Sequence, residues 1–530
     1  MSLLKNLYKK QHVNKLLKGR RLLQEKKGLD YLIFLADKLA KTPLKPAKKL
    51  YLIEQDKFDL ARVQFINQRQ LFLELNEAVL LAFSNKKRKI KIGLPQAYLK
   101  ILEKEGFKAT TLQNKIRWLY FGIKWFVFGN LKYFKFIYDC IRLRSNPKNQ
   151  TVSFDYFDNL TNKNLPQPQK QLSKSIIEWY LEKFPDKNKK NIFHSVKGTK
   201  SFQLGQNKID YVPHPFTKRA TRSSILYLIW WWIKLNGISL VEFFSGNFMY
   251  CILMKEFPYL LWSQKCDSEQ LPKKVLFHNT SSAFRPLWTY IAEKKCVEVI
   301  LYFYSTNNFV AKNSEGKYYT ELYNKGYMNW PKYYVWNNHQ KDFIDNTVKE
   351  KNYDVEIVGP ITFESKLIFK KQQKEVQKII SIFEVNVFNN YHHAKIGHPS
   401  DYYVPSVLLK FHQDIYDIIN SHDNLKGLMK RKRNDKNIHK EYINQVNKLY
   451  TTENFKQIDI NTDAESLILS SIATISIPFT SPANIAKYHR IPSVYYDPVQ
   501  YIQPDDRGLS GIPLIQDKED LARWLNSIIK

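Results

Sequence analysis

The chain has 530 residues, of which 44% are hydrophobic and 25% charged, so a disordered polymer is excluded and two or three domains are expected. Its 83 Lys and Arg residues against 49 Asp and Glu residues give a net charge of +34. This excess favours a polyanionic partner, but the Lys-rich composition of proteins from AT-rich genomes is an alternative explanation. The four cysteines (Cys140, Cys251, Cys266, Cys296) lack CxxC spacing, which fits a reducing cytoplasm and argues against a zinc site.

The N-terminal 45 residues predict one or two basic helices. They are interrupted by Lys and Arg every few positions, so no signal peptide is expected. No segment reaches the roughly 20 uncharged apolar residues of a membrane span. The nearest approach, residues 223–233, lies between Arg222 and Lys234 and contains the run Trp230-Trp231-Trp232.

Residues 116–144 predict a helix that is both basic and aromatic. At 100° per residue, four basic side chains fall within about 20° of one another; they are Arg117, Lys124, Lys135 and Arg142. A basic stripe beside a broad aromatic surface is typical of a helix that lies in a membrane interface. A buried helix with one solvated face gives the same pattern and stays an alternative.

Residues 145–175 are polar with scattered prolines and predict an irregular insertion or linker. Alternating strands and helices follow, with strands expected at 275–279, 297–304, 332–336 and 355–359. The same alternation resumes after residue 360, with strands expected at 379–385, 425–430, 457–460, 473–477 and 493–496. The pattern predicts parallel sheets in two Rossmann-like domains. We divide the chain into a first domain at 1–360 with the basic aromatic helices, a second domain at 361–505, and a C-terminal helix at 506–530.

The segment at residues 472–497 predicts a βαβ unit. An apolar, β-branched strand ends at Pro478, Ser481 occupies the expected N-cap of a helix, and Pro482 suits the first helical position. The amide groups at such a helix start, together with Thr480 and Ser481, would suit a phosphate. The alternative is that the two hydroxyls only cap the helix.

Pro478-Phe479-Thr480-Ser481 resembles the motif that names the PFTS-motif proteins of bacterial surface polysaccharide biosynthesis. Upstream, His398-Pro399 is similar to the HP motif of bacterial sialyltransferases and Kdo transferases, in which a Ser/Thr pair follows later in the same domain. The resemblance, which covers mainly residues 350–500, implies a GT-B glycosyltransferase with two Rossmann-like domains facing a cleft. It also implies that His398, Pro399, Thr480 and Ser481 hold the nucleotide of a CMP-sugar.

Three further positions are candidates for catalysis: His278, Glu242 and Asp158, which we expect on the acceptor side of the cleft. The acidic-acidic-Gly motif of sialyltransferases is absent, so the base and the stereochemical outcome stay open. Lys430, at the end of a predicted strand, is the candidate partner of the donor phosphate. No Asp-x-Asp, GxGxxG or GxxxxGK[ST] motif occurs, so no metal site and no cofactor are expected.

The resemblance implies a glycosyltransferase of surface polysaccharide biosynthesis, with residues 1–360 as the acceptor-side domain and residues 361–505 as the nucleotide-sugar domain. The basic aromatic helix adds the expectation that the protein is peripheral on the inner face of the cytoplasmic membrane. It would transfer a sugar, favoured as Kdo or a nonulosonic acid from a CMP donor, to a lipid-linked glycan. Another NDP-sugar or a CDP-alcohol donor is the first alternative. The second is a non-enzymatic basic protein that binds membrane or nucleic acid, although no nucleic-acid motif is present.

Overall fold

The structure is a computed structural model of the chain. It describes residues 2–28, 30–44, 52–71, 74–142, 153–166, 175–185, 191–215, 222–279, 283–306, 312, 316, 318, 325–361, 378–396, 404–432 and 438–529.

The chain begins with helices, as the basic pattern of the first 45 residues predicts. They are α1 (Ser2–Lys27), α2 (Tyr31–Ala40), α3 (Gln55–Ile66), α4 (Glu74–Phe83), α5 (Gln96–Lys104) and α6 (Leu112–Arg142). Apolar residues recur every three or four positions and form one buried face on each of α2 and α4. The helices pack against one face of the sheet that follows and share its core.

The first α/β domain has an eight-stranded sheet. Its strands are β1 (Phe154–Asp158), β2 (Asn191–His194), β3 (Phe202–Leu204), β4 (Asn207–Tyr211), β5 (Lys274–His278), β6 (Glu298–Tyr302), β7 (Lys332–Val335) and β8 (Asp354–Ile357). Its helices are α7 (Ile176–Lys183), α8 (Arg222–Phe244), α9 (Met249–Leu253), α10 (Phe257–Lys265), α11 (Trp288–Lys294) and α12 (Asn338–Thr347). The spatial order is β3-β4-β2-β1-β5-β6-β7-β8, and every neighbouring pair is parallel except β3 with β4.

Alternation along the strands divides the core of this domain between the two faces of its sheet. Tyr156 and Phe277 belong to the cluster beneath the N-terminal helices, whereas Phe157 and Leu276 belong to a second cluster on the opposite face. Both faces are therefore covered, as parallel sheets require.

The second α/β domain has a six-stranded sheet. Its strands are β9 (Lys378–Phe383), β10 (Leu425–Lys430), β11 (Phe455–Gln457), β12 (Ala473–Ser476), β13 (Ser493–Tyr496) and β14 (Leu514–Ile515). Its helices are α13 (Asn390–Ile396), α14 (Pro405–Asn420), α15 (Lys440–Leu449), α16 (Ala464–Leu469), α17 (Ser481–Tyr488) and α18 (Lys518–Ile529). All pairs are parallel, and the order β11-β10-β9-β12-β13-β14 is the Rossmann order 3-2-1-4-5-6.

Two features of the organisation differ from the sequence-based expectation. Within the polar stretch at 145–175, residues Phe154–Asp158 form β1, a central strand of the first sheet, so this part of the stretch is not an irregular insertion. In the second domain, β14 pairs with β13 and α18 packs on its core, so both belong to this domain although the expected division left them in a C-terminal helix after residue 505.

The basic aromatic helix of the sequence analysis is α6, which packs on α8, α9 and α10 and leaves its opposite face exposed. Two glycines of the packed face bring the helices together: a Cβ at Gly129 would lie 2.6 Å from the Cβ of Met254, and one at Gly122 would lie 2.8 Å from the Phe248 ring. Within the described ranges, one helix is long and apolar enough to cross a membrane, over residues Ser223–Phe244 of α8.

Candidate functional site

The PFTS segment leaves the carboxyl end of β12, directly beside β9. The chain order along the second sheet reverses between these two strands, and ligands of open parallel sheets bind at such a switch point. Phe479 adopts a left-handed conformation, with φ of 64°, which is uncommon for a bulky residue. Its ring packs on Tyr495 at a centroid distance of 6.3 Å, and the turn redirects the chain into α17.

Thr480 holds this turn together. Its hydroxyl donates a hydrogen bond of 2.8 Å to the Ile477 carbonyl, and its own carbonyl accepts one of 3.1 Å from the Tyr495 hydroxyl. Thr480 occupies the N-cap position that the sequence analysis gave to Ser481, and α17 begins one residue later. The single hydroxyl proton of Thr480 is used within the turn. This side chain therefore cannot donate to a phosphate unless its hydrogen bond to the Ile477 carbonyl breaks.

Ser481 makes a different set of contacts. Its Oγ accepts hydrogen bonds from the backbone amide of Thr306 at 3.1 Å and from the Thr306 hydroxyl at 3.0 Å. Among the described hydrogen bonds, none uses the proton of the Ser481 hydroxyl, so this group is able to donate to an anion. The structure thus separates the predicted hydroxyl pair into a residue that holds the turn and a residue that faces the other domain.

The Thr306 contact brings the edges of the two sheets together. Thr306 follows β6 at the carboxyl edge of the first sheet, and Ile485 of α17 packs against the core of the first domain. Farther along, the Asp506 carboxylate accepts a hydrogen bond of 2.9 Å from the Lys312 amide, and Arg507 lies 3.2 Å from Asp342 of α12. The carboxyl edges of both sheets therefore meet at this interface.

The first sheet has its own switch point, between β1 and β5. Two of the three predicted catalytic residues lie there: Asp158 ends β1 beside Phe277, and His278 ends β5. Burial raises the pKa of the Asp158 carboxyl to about 6, although hydrogen bonds from the Asn159 amide and the Ser195 hydroxyl oppose this shift. Burial lowers the pKa of His278 to about 4, and its ring stacks on Tyr304 at 4.0 Å.

These shifts define what each group can do near neutral pH. Asp158 titrates close to neutrality, the range in which a general base is effective. His278 is a neutral imidazole there, able to accept a proton or a hydrogen bond.

Glu242, the third predicted catalytic residue, lies elsewhere. It stabilises the turn after α8, where its carboxylate accepts a hydrogen bond of 2.6 Å from the Asn247 amide group and its carbonyl accepts one of 2.7 Å from Ser245. Asn247 and Ser245 line a cavity of about 410 Å³ together with residues of α5 and α6. None of the described contacts of Glu242 reaches β1 or β5, so the structure does not bring it together with the other two candidates.

Lys430 ends β10, as predicted, but its ammonium group donates to backbone carbonyls, at 3.2 Å to Ile460 and 3.4 Å to Arg431. Arg431, the next residue, was missed as a candidate. Its Nε lies 3.5 Å from the buried carboxylate of Glu384, which directly follows β9, and its guanidinium donates to Asn447. This places a second fixed cation at the carboxyl edge of the second sheet.

The Glu384 carboxylate is held in turn by His412 at 2.8 Å and by the Tyr442 hydroxyl. In the sequence, the basic residues Lys430-Arg431-Lys432 at the end of the predicted strand 425–430 were the one local sign of this arrangement, since Glu384 and His412 come from distant positions. His398 and Pro399 lie outside the described residues. In the described part of the chain, no three His, Cys, Asp or Glu side chains are grouped as metal ligands would be.

Two parallel α/β domains in tandem, whose switch-point edges meet at an interface, define a GT-B type protein with N-terminal helical additions. A model of the polysaccharide biosynthesis PFTS motif protein family matches residues 233–525, more than half of the chain. The chain belongs to this family, as the PFTS segment predicts, and its class is therefore that of polysaccharide biosynthesis proteins.

Among solved structures, the chain is similar to the α,α-trehalose 6-phosphate synthase of Burkholderia multivorans, with a TM-score of 0.38, 7% identity, and coverage of 72% of this chain and 91% of the synthase. It is also similar to MnaA of S. aureus in a structure with UDP, with a TM-score of 0.37, 10% identity, and coverage of 72% and 88%. The strand orders of the two sheets define the fold. No curated protein matches the chain.

Proposed function

We propose that this protein transfers a sugar from a nucleotide-activated donor to a lipid-linked glycan during surface polysaccharide biosynthesis, at the cytoplasmic face of the inner membrane. The observation that carries the proposal is the position of the PFTS segment. It emerges at the switch point of a Rossmann-ordered sheet and contacts the opposing domain through Ser481 and Thr306. A donor bound at one edge would therefore meet an acceptor bound at the other.

The donor phosphate would lie at the start of α17. There the Ser481 hydroxyl and the first backbone amides of the helix offer hydrogen-bond donors, and the helix dipole favours an anion. Arg431 and Lys430 would add positive charge from the end of β10, which is separated from β12 by β9. His398 and Pro399 are proposed to contact the nucleotide because of the order of the two motifs.

Asp158 is our candidate for the base. Its carboxylate would take the proton from the acceptor hydroxyl as that oxygen forms a bond to the anomeric carbon. The bond from this carbon to the donor phosphate oxygen breaks, and the nucleotide leaves with the bonding electrons. Ser481, the α17 amides and Arg431 would stabilise the negative charge on the leaving phosphate. His278, a neutral imidazole at the end of the neighbouring strand β5, is the second candidate for the base.

A CMP-activated acidic sugar, Kdo or a nonulosonic acid, is the favoured donor because the HP and Ser/Thr motifs accompany such donors. Another NDP-sugar or a CDP-alcohol remains the alternative. Isothermal titration of the purified protein with CMP, CDP, UDP and GDP tests the donor class directly. Preferential binding of CMP supports a CMP-sugar donor. Preferential binding of another nucleotide would change the proposed donor class but would not contradict the proposed sugar transfer.

Release of the nucleotide from its activated sugar, only in the presence of a lipid-linked acceptor fraction, tests the transfer itself. Binding of none of the four nucleotides, with tight and salt-sensitive binding to random duplex DNA, would overturn the proposal in favour of a basic binding protein.

A further inference from the structure

One long face of α6 is apolar and exposed to solvent. Its members recur every three or four residues along the whole helix; they include Ile116, Ile123, Val127, Leu131, Tyr138 and Ile141. Leu131 keeps 65% of its surface exposed and Tyr138 keeps 58%. The opposite face is buried by Trp118, Tyr133 and Phe136, so α6 is a half-buried helix whose outer face is also hydrophobic.

Helix α8 carries a second exposed apolar face. Its most exposed members follow the same spacing; they are Leu226, Trp230, Ile233, Val241 and Phe244. Phe244 is 84% exposed and Ile233 is 61% exposed. Soluble monomers rarely leave contiguous apolar surface of this extent in water, which indicates an interaction site.

The two faces form one surface because the helices pack side by side. The indole nitrogen of Trp232 in α8 donates a hydrogen bond of 2.7 Å to Asn130 in α6, and the Trp232 and Phe134 rings lie 4.8 Å apart. The Tyr133 hydroxyl donates to the Leu228 carbonyl at 2.9 Å. We call the combined exposed face of the two helices the α6–α8 surface.

The charges at the edge of this surface identify its partner. The four basic side chains predicted from the sequence, Arg117, Lys124, Lys135 and Arg142, are all exposed in the structure and run along one side of the apolar face of α6. On α8, the Lys234 ammonium lies over the Trp230 and Trp231 rings at 5.1 Å and 4.4 Å. Apolar and Trp side chains edged by cations match a bilayer interface with anionic headgroups.

We propose that the α6–α8 surface docks on an anionic lipid bilayer, with both helices lying in the plane of the interface. This inference rests on the membrane location given in the proposed function, and it identifies the surface that would bind the membrane. A second copy of this chain, covering the same face, is the competing occupant and is resolved by the test below.

Among the helices that the structure describes, α8 has the length and composition to span a bilayer, but its contacts oppose this orientation. Leu228, Leu235 and Ser239 are buried along its length against the rest of the protein. A spanning α8 would have to leave these contacts or carry α6 into the hydrocarbon, including Lys124 and Lys135. Charged side chains are costly there, whereas in the interfacial plane they reach the headgroups.

The test measures co-sedimentation of the full chain, without donor or acceptor, with vesicles of phosphatidylcholine alone or of equimolar phosphatidylcholine and phosphatidylglycerol. Reversal of Arg117, Lys124, Lys135 and Arg142 to Glu is expected to weaken binding to the anionic vesicles by at least ~10²-fold at low salt. The matched control reverses Lys197, Lys200, Lys448 and Lys456, which are exposed elsewhere, and should retain most of the binding.

A third variant, with Leu131→Gln, Ile233→Gln and Phe244→Gln, keeps the charges and tests insertion of the apolar face. It should also lose binding to anionic vesicles. Thermal unfolding checks that each variant is folded, so the vesicle result does not depend on nucleotide binding or on sugar transfer.

Three results would overturn the proposal. Equal binding to neutral and anionic vesicles removes the role of the basic edge. Absence of binding, together with a dimer that the Gln variant dissociates in solution, assigns the surface to a second copy of the chain. Retention on vesicles after an alkaline carbonate wash indicates a spanning α8 instead of a planar one.

Discussion

The hydroxyl oxygen of Ser481 accepts two hydrogen bonds from Thr306, one from its backbone amide at 3.1 Å and one from its side chain at 3.0 Å. The two residues belong to different domains, so the PFTS segment is also part of the interface between them. Thr306 is 6% exposed and Ser481 is half-buried. Among the described hydrogen bonds, none uses the Ser481 proton, and the domain contact sets the direction in which the Ser481 oxygen is held.

Replacing Ser481 by Ala should weaken binding of the donor nucleotide more than replacing its partner. A hydrogen bond to a charged group contributes about 1.5–3 kcal/mol, so Ser481→Ala is expected to reduce CMP affinity by about 10- to 150-fold. Thr306→Val removes the hydroxyl contact but leaves Ser481 and the Thr306 amide in place, and should change the affinity by only a few-fold. Titration calorimetry on the two variants measures both effects.

Equal losses in the two variants would mean that Ser481 acts only through the domain contact. Unchanged affinity in Ser481→Ala, and also in His398→Ala, would mean that the nucleotide binds elsewhere.

The elements of the second domain were predictable because buried parallel strands form short, continuous apolar runs. Residues 425–430 and 493–496 are strands with the predicted bounds. The first strand of the first sheet was missed, since β1 contains two Asp residues within a polar region. Asp155 is accommodated there because its carboxylate accepts a hydrogen bond of 2.9 Å from Tyr180, a partner that local sequence cannot reveal.

The candidate site was also predictable only in part. The position of Thr480 and Ser481 after a strand follows from local sequence. Their separate roles do not, because they depend on Thr306, which is 175 residues away. Arg431 also became a candidate cation, in addition to Lys430, only in the folded chain. There the Glu384 carboxylate lies beside its guanidinium group.

Turnover is expected to need no divalent metal. The sequence has no Asp-x-Asp motif, and the charge of the leaving phosphate can be met by Ser481, the α17 amides and Arg431. Transfer measured in excess EDTA should equal transfer in buffer alone. Loss of activity in EDTA and its recovery with manganese would show that a metal ion takes this role.

The packing of α6 can be tested by replacing Gly129 of α6 with Ala and comparing the result with the same replacement at Gly237 of α8. A Cβ at Gly129 would lie 2.6 Å from Met254 and 3.0 Å from the Lys255 amide nitrogen, so Gly129→Ala should destabilise the fold by about 1–3 kcal/mol. Gly237 in α8 has nothing within 4 Å of its Cβ position, so Gly237→Ala should stabilise by about 0.5–1 kcal/mol through helix propensity. Relative to the unmodified protein, the apparent thermal midpoint should fall in Gly129→Ala and rise in Gly237→Ala. Shifts of both midpoints in the same direction would contradict the packing.

Asp158→Asn should lower activity and raise stability, a combination that a purely structural residue would not give. The folded-state pKa of Asp158 is raised from 3.8 to about 6 by burial. Between these values the unfolded chain has lost the proton that the folded protein retains, so this group reduces stability as the pH rises through the window. The deficit is constant above about pH 6 and is at most about 3 kcal/mol.

Asp158→Asn removes this titration. Its thermal midpoint should exceed that of the unmodified protein at pH 7.5, and the difference should vanish towards pH 4. If Asp158 is the base, kcat/KM of the unmodified protein rises with pH to a plateau above about pH 6, and the variant loses that rise together with about 10²- to 10⁴-fold of its activity. Increased stability with unchanged activity would exclude Asp158 as the base. His278→Gln would then be the variant to examine, because His278 ends the neighbouring strand at the same switch point.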